Sequence, residues 1–247
     1  HWGLARARGL KTIAKVQAST TWELGAVPYM PVVETAARHA ANLRDAGVNG
    51  LMLSWTLGGY PSPSFEAVMA LGRPARPSVD EALATVARRR FGEAAAPAVV
   101  EAWKAYSAAL NEYPFAVNVL YNSPVDMGPA NPLWAEPTGY RGSVIMAFGF
   151  PLDGLDEWRG MYPAETFAAQ FERVALGFDK ALDKLRSAGG NDVAPSLADE
   201  MGVAEACAIH VRSVANQTRF VMLRGQLAQA RTTGEALPIL DAVETIV

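Results

Sequence analysis

The 247 residues are half hydrophobic and 19% charged, with a formal net charge of −3, the balance of a globular chain able to bury a sizeable core. Nothing in that charge balance suggests a nucleic-acid partner, and none is expected: Arg88-Arg89-Arg90 is brief, lies in a helical pattern and reads as a solvated helix face. Cys207 is the single cysteine, which excludes an intrachain disulfide and a cysteine metal cluster.

His1, His39 and His210 are far apart and lack ligand spacing; carboxylates could build a metal site but nothing argues for one, and no metal and no cofactor is expected. No run approaches the roughly 18 unbroken apolar residues of a membrane span, and no charged-then-apolar leader is visible. A cytoplasmic protein without a membrane partner is the expectation. His1 to Gly9 reads as the last turns of a helix with a glycine C-cap, and with no initiator methionine the chain is expected to be the C-terminal portion of a longer protein.

Thr12 to Gln17 is a short β-branched run that discharges into Ala18-Ser19-Thr20-Thr21-Trp22-Glu23. Pro31 opens a helix through Val32, Val33, Ala36, Ala40 and Leu43, which Gly47 ends. Gly50 to Trp55 is a second apolar run, discharging into Thr56-Leu57-Gly58-Gly59-Tyr60-Pro61. A crossover of this length predicts two parallel neighbours in one sheet. Arg-Gly-Leu-Lys at 8–11 and Asp-Ala-Gly-Val at 45–48 read as two copies of one helix-to-strand turn, the recurrence that repeated β/α units produce.

Beyond Tyr60 the strand signal fades. A helical piece spans about Phe65 to Leu71, and Ser78 with Glu81 forms a capping box for a helix that stops at Phe91-Gly92. A longer helix covers Ala95 to Tyr113, with Val99, Trp103, Tyr106 and Leu110 on one stripe. Leu120 to Arg141, with four prolines, is expected to be a stiff irregular loop, and Phe150 to Pro163 a second one. Helices follow at Glu165–Ser187, about Leu197–Gln229 and Leu237–Ile246.

In parallel α/β folds ligands sit beyond the carboxyl ends of the strands. Glu23 beside Trp22 is a candidate acid/base group, because a neighbouring ring that dries a carboxylate raises its pKa; the plain reading is a loop glutamate capping the next helix. Gln17 lies below it as a hydrogen-bonding group for a bound hydroxyl. Trp55 and Tyr60 suit the apolar faces of sugar rings, and Gly58-Gly59 permits close backbone approach, although a tryptophan after an apolar run is as often core. Tyr121, Asn122, Asp126, Asn131 and Trp134, with Asp153, Asp156, Trp158 and Arg159, suit polyhydroxylated ligands or equally the anchoring of a helical domain. Asn216-Gln217-Thr218-Arg219 reads as a buried polar contact between domains. No phosphate loop, dinucleotide fingerprint or nucleophile elbow is present.

Val16-Gln17 followed by Thr21-Trp22-Glu23, then Leu53 to Pro61, resembles the last two β/α units of bacterial (β/α)8-barrel glycoside hydrolase-like proteins with an appended helical domain. The resemblance covers about residues 1–75 as barrel and, more loosely, 76–247 as the helical domain with loops at about 118–142 and 150–163. It implies an α/β remnant of a TIM-type barrel followed by a mainly α-helical domain, mostly α overall. It also implies a carbohydrate ligand and paired catalytic carboxylates. On it, Glu23 is a catalyst or a substrate contact, and Gln17, Trp22, Trp55 and Tyr60 bind substrate. Most of the eight strands would precede His1, so the chain alone is expected to lack hydrolase activity, and its open strands to form a homodimer or pair with a missing N-terminal half. The alternative is a non-catalytic helical interaction domain in which the strand pair is only scaffold.

Overall fold

A computed structural model describes residues 1–54, 59–127, 131–139, 153–189 and 193–246, the side chains of Met127 and Gly189 excepted. The described residues are mostly helical, 66% helix and 4% strand, and hold two short strands. It forms two compact units, each assembled from separated stretches of chain. The first holds 1–22, 27–111 and 177–206; the second holds 23–26, 112–176 and 207–247.

The first unit begins with α1 (Trp2–Ala7), β1 (Ile13–Val16), α2 (Val33–Asp45) and β2 (Gly50–Leu53). The strands lie side by side and parallel, Ile13 opposite Gly50 and Val16 opposite Leu53, as the crossover length predicts. The two helix-to-strand turns are copies. After α1, the Gly9 N–H donates to the Arg6 carbonyl and the Leu10 N–H to that of Ala5; after α2, Gly47 donates to Arg44 and Val48 to Leu43. This is the Schellman pairing, and it needs a left-handed residue, supplied by Gly9 (φ 75°) and Gly47 (φ 74°). Arg6 ties the copies together by donating from Nη1 to the Ala46 carbonyl. Gly47→Ala is expected to lose about 1 kcal/mol of stability in urea titration, since a Cβ is unfavourable at that φ.

Period-2 alternation sends Ala14 and Val16 to one face of the sheet, where they pack with Leu43 and with Val48, Leu51 and Leu53. Ile13 and Met52 lie on the other face and are 69% and 52% exposed. The helices α3 (Pro63–Leu71) and α4 (Val79–Ala109) pack against α2. Ser62 caps α3 through a 3.3 Å bond from the Phe65 N–H. The capping box of α4 forms as its sequence predicts, with the Glu81 N–H on Ser78 Oγ (3.2 Å) and the Ser78 N–H on Glu81 Oε2 (2.7 Å). Gly92 interrupts α4 at φ 83°, ψ 166°, at the predicted stop, and the remainder ends in a 3-10 turn at Leu110–Glu112. Trp103 and Tyr106 of α4 are fully buried, and Tyr106 meets Phe178 with ring centroids 4.7 Å apart.

In the second unit the stretch expected to be a loop from Leu120 carries two short helices, α5 (Val117–Asn122) and α6 (Pro124–Met127). Pro124 is the first residue of α6, a position where proline forfeits no helical hydrogen bond, so it starts a helix there instead of marking a loop. The second predicted loop contains α7 (Leu155–Trp158), whose Trp158 is fully buried. Helices α8 (Ala164–Gly189) and α9 (Pro195–Leu227) each run from one unit into the other, and α10 (Thr233–Glu244) closes the order. Phe167 and Phe171 of α8 meet edge-to-face at 5.0 Å, and Phe171 meets Tyr113 likewise at 5.2 Å. No helix among the described residues is long and apolar enough to cross a membrane.

Candidate functional site

Beyond the last strand residues, Val16 and Leu53, the backbone turns abruptly. Thr20 (φ 57°) and Ser54 (φ 64°) adopt left-handed conformations, which non-glycine residues hold only when their surroundings impose them. The surroundings here are hydrogen bonds. The Ser54 N–H donates to the Val16 carbonyl at 2.6 Å, and the Met30 N–H to the Ser19 carbonyl at 3.0 Å. The hydroxyls of Ser19 and Ser62 lie 3.2 Å apart, joining the exit of β1 to the start of α3.

In the segments that follow the two strands, four buried side-chain oxygens have no hydrogen-bond partner among the described residues: Gln17 Oε1, Thr21 Oγ1, Ser54 Oγ and Ser64 Oγ. Folded proteins leave few such groups, because each unmet buried acceptor or donor costs about 1–3 kcal/mol. Beside them stands an aromatic pair. Tyr60, 54% exposed, stacks on buried Tyr29 with centroids 5.8 Å apart and planes 26° from parallel.

Tyr29 is bonded in turn to Glu200 of α9. Its hydroxyl donates to Glu200 Oε2 at 2.6 Å, while Trp103 Nε1 donates to Oε1 at 2.7 Å. Burial raises the Glu200 pKa, opposed by those two hydrogen bonds and by the nearby charge of Arg90. Burial first, and then the Glu200 charge, push the Tyr29 hydroxyl above its ordinary range. Arg90 donates from Nη2 to the Pro61 carbonyl at 2.9 Å and pairs with Glu66, which also holds Arg89. Burial opposes ionisation of Glu66, but the hydrogen bonds from Arg90 and Arg89 outweigh it and keep its pKa below the usual value. Arg88 pairs with Glu93 at 3.7 Å, so each arginine of the run Arg88–Arg90 faces a carboxylate.

Of the residues chosen from sequence, Gln17 and Tyr60 both fall at the strand exits of the first unit. Trp22 is half-buried in the same unit, and Trp55 lies outside the described residues. Glu23 opens the short stretch that belongs to the second unit. Its carbonyl accepts from the Tyr113 hydroxyl at 2.9 Å, and the Gly25 N–H donates to the Val125 carbonyl at 3.1 Å. Gly25 passes so close to α6 that a Cβ there would lie 3.1 Å from Asp126 Oδ1. Burial pushes the Asp126 carboxyl up to about 7. Tyr113 is raised by burial and then by the charges of Glu23 and Asp126.

Of the loop residues chosen as ligand groups, Asn131 and Asp153 make polar contacts within the second unit. Asn131 Nδ2 donates to Gln217 Oε1 (2.8 Å), and Asp153 pairs with Arg224 (3.2 Å) while accepting from the Thr138 N–H (2.7 Å). Thr218 bonds to the Val214 carbonyl and Arg219 to Glu172, both within that unit. Sequence reasoning missed Tyr29 and Glu200. A trace of Glu200 was there: it falls in helical step with buried Leu197, Ala204 and Cys207, a carboxylate on an apolar stripe. Among the described residues no group of three or more histidine, cysteine or carboxylate side chains is arranged to hold a metal ion. No protein family, curated protein or solved structure matches the chain.

Proposed function

We propose that the chain is the C-terminal part of a carbohydrate-active, glycoside hydrolase-like enzyme whose strand exits in the first unit supply part of a sugar-binding site. One observation carries this reading: an exposed tyrosine face, Tyr60 on Tyr29, follows the same ends of two parallel strands as four buried oxygens that have no partner among the described residues. Sugar rings present apolar C–H faces that stack on aromatic rings and hydroxyls that satisfy such oxygens. A site of this kind combines a largely apolar surface with a few placed polar groups.

The repeated helix–glycine turn–strand unit supports the barrel-end part of the reading, since two consecutive copies feed neighbouring parallel strands. The exposed Ile13 and Met52 face supports a partner that covers it, either the N-terminal half of such a barrel or a second copy. The parts given to Trp22, Trp55 and Glu23 rest on the resemblance alone, Glu23 as contact or acid/base group.

Titration of the chain with cellobiose, maltose, xylobiose and chitobiose, followed by calorimetry and by tyrosine ring NMR signals, tests the reading. At least one disaccharide is expected to bind, with Tyr60→Ala and Gln17→Ala each weakening it about tenfold, the equivalent of roughly 1.4 kcal/mol. Absence of binding by all four at millimolar concentration rejects the proposal. Hydrolysis of aryl glycosides by this chain alone would reject the view that it is catalytically incomplete.

A further inference from the structure

Glu200 has no role in the sugar reading, yet it is bonded to one half of the aromatic pair. Its carboxylate is 2% exposed, so water does not compete for the Tyr29 and Trp103 donors. The 2.6 Å separation from the Tyr29 hydroxyl is that of a charge-assisted bond, stronger and more directional than a neutral one. A buried carboxylate is an unfavourable way to fill a core position, where an apolar side chain of similar volume packs as well. Its gain is orientation. Holding the hydroxyl end of Tyr29 sets where the ring lies, and because a phenol O–H prefers the plane of its ring, the bond to Glu200 favours the ring plane on which Tyr60 stacks.

We propose that Glu200 is a positioning residue that holds the Tyr29–Tyr60 pair in register as the sugar platform. Its purpose rests on the sugar reading, while its geometry does not. Arg90 makes the second tie: it binds the carbonyl of Pro61, the neighbour of Tyr60, and pairs with Glu66. The pair is therefore held at Tyr29 from α9 and beside Tyr60 from α4.

The test compares the wild type with Glu200→Gln, Glu200→Leu and Trp103→Phe, each with ring-labelled tyrosine. The readouts are the Tyr29–Tyr60 ring-to-ring NOE, the melting temperature and affinity for the four disaccharides. Glutamine accepts from Trp103 and donates to the Tyr29 oxygen, so Glu200→Gln is expected to keep the NOE and to bind within threefold of wild type. Glu200→Leu is expected to lose the NOE and to bind at least tenfold more weakly. Trp103→Phe removes the other donor and leaves Tyr29 tethered; it is expected to lower the melting temperature while keeping the NOE. Where Glu200→Leu does not fold, Tyr29→Phe replaces it, with loss of a fixed ring-to-Tyr60 contact expected. A retained contact in both variants, or an equal loss in Trp103→Phe, overturns the positioning role. Should the NOE pattern follow expectation while no disaccharide binds the wild type, the sugar reading falls and the positioning role stands.

Discussion

Gly177→Val is expected to destabilise the first unit by about 3 kcal/mol, the upper end for forcing volume into a packed core. The reason is local. A Cβ at Gly177 of α8 would lie 2.5 Å from the Ala109 Cβ at the end of α4, a separation real Cβ atoms essentially never show. The Ala109 Cα is 3.4 Å away, so the obstacle is backbone as well as methyl and cannot swing aside. Gly177→Ala should cost less, about 1 kcal/mol net, because alanine's better helix propensity returns about 1 kcal/mol of the overlap. Pairing Gly177→Ala with Ala109→Gly removes the overlap, so the double mutant should be more stable than the sum of its parts by 1 kcal/mol or more. Urea denaturation of the four proteins in the cycle checks this. Additive effects would mean that the two helices separate there at little cost.

Asp126→Asn is expected to stabilise the protein at neutral pH and to leave it unchanged near pH 4. The Asp126 carboxyl titrates near 7 in the folded state because burial disfavours its charge, against about 3.9 for an unfolded aspartate. Below about pH 4 both states are protonated and there is no penalty. Between pH 4 and 7 the unfolded chain has released the proton and the folded one holds it, so the favourable contribution present at low pH is lost as pH rises through the folded value. The shift of about 3 units sets a ceiling near 4 kcal/mol at roughly 1.4 kcal/mol per unit, and partial exposure reduces it to about 2. The difference between variant and wild type should therefore grow from near zero at pH 4 to about 2 kcal/mol at pH 8. A pH-independent difference would place the Asp126 titration elsewhere. Glu66 and Asp153, whose pKa values are lowered, act in the opposite sense and lose their contribution on acidification; both variants share that loss.

Much of the architecture was legible because it is local. The glycine turns at Gly9 and Gly47, the Ser78–Glu81 box and the break at Gly92 are each set by one or two residues whose backbone preferences leave few alternatives. The strand pair was legible because β-branched runs on either side of one helix have few other ways to pair. The short helices α5 and α6 were not, since prolines read as loop signals also start helices at their first position. Asn131 and Asp153 were ambiguous because the residue types that bind sugars also tie loops to helices.

At the candidate site, Tyr60 and Gln17 could be found because they follow strands directly. Tyr29 and Glu200 could not, since their bond joins residues 171 positions apart and depends on how α9 packs. Glu23 could be flagged as a carboxylate beside a ring, but not as part of the second unit, which only its carbonyl's bond to Tyr113 and the Gly25–Val125 pairing reveal.

The passage of α8 at residues 176–177 and of α9 at 206–207 from one unit to the other has a practical outcome. Neither body is encoded by a contiguous stretch of gene, so no truncation yields either by itself, and a protease acting on connecting loops would release incomplete pieces. A design that rejoins the separated stretches of one body through new linkers, not deletion, is the route to each body in isolation.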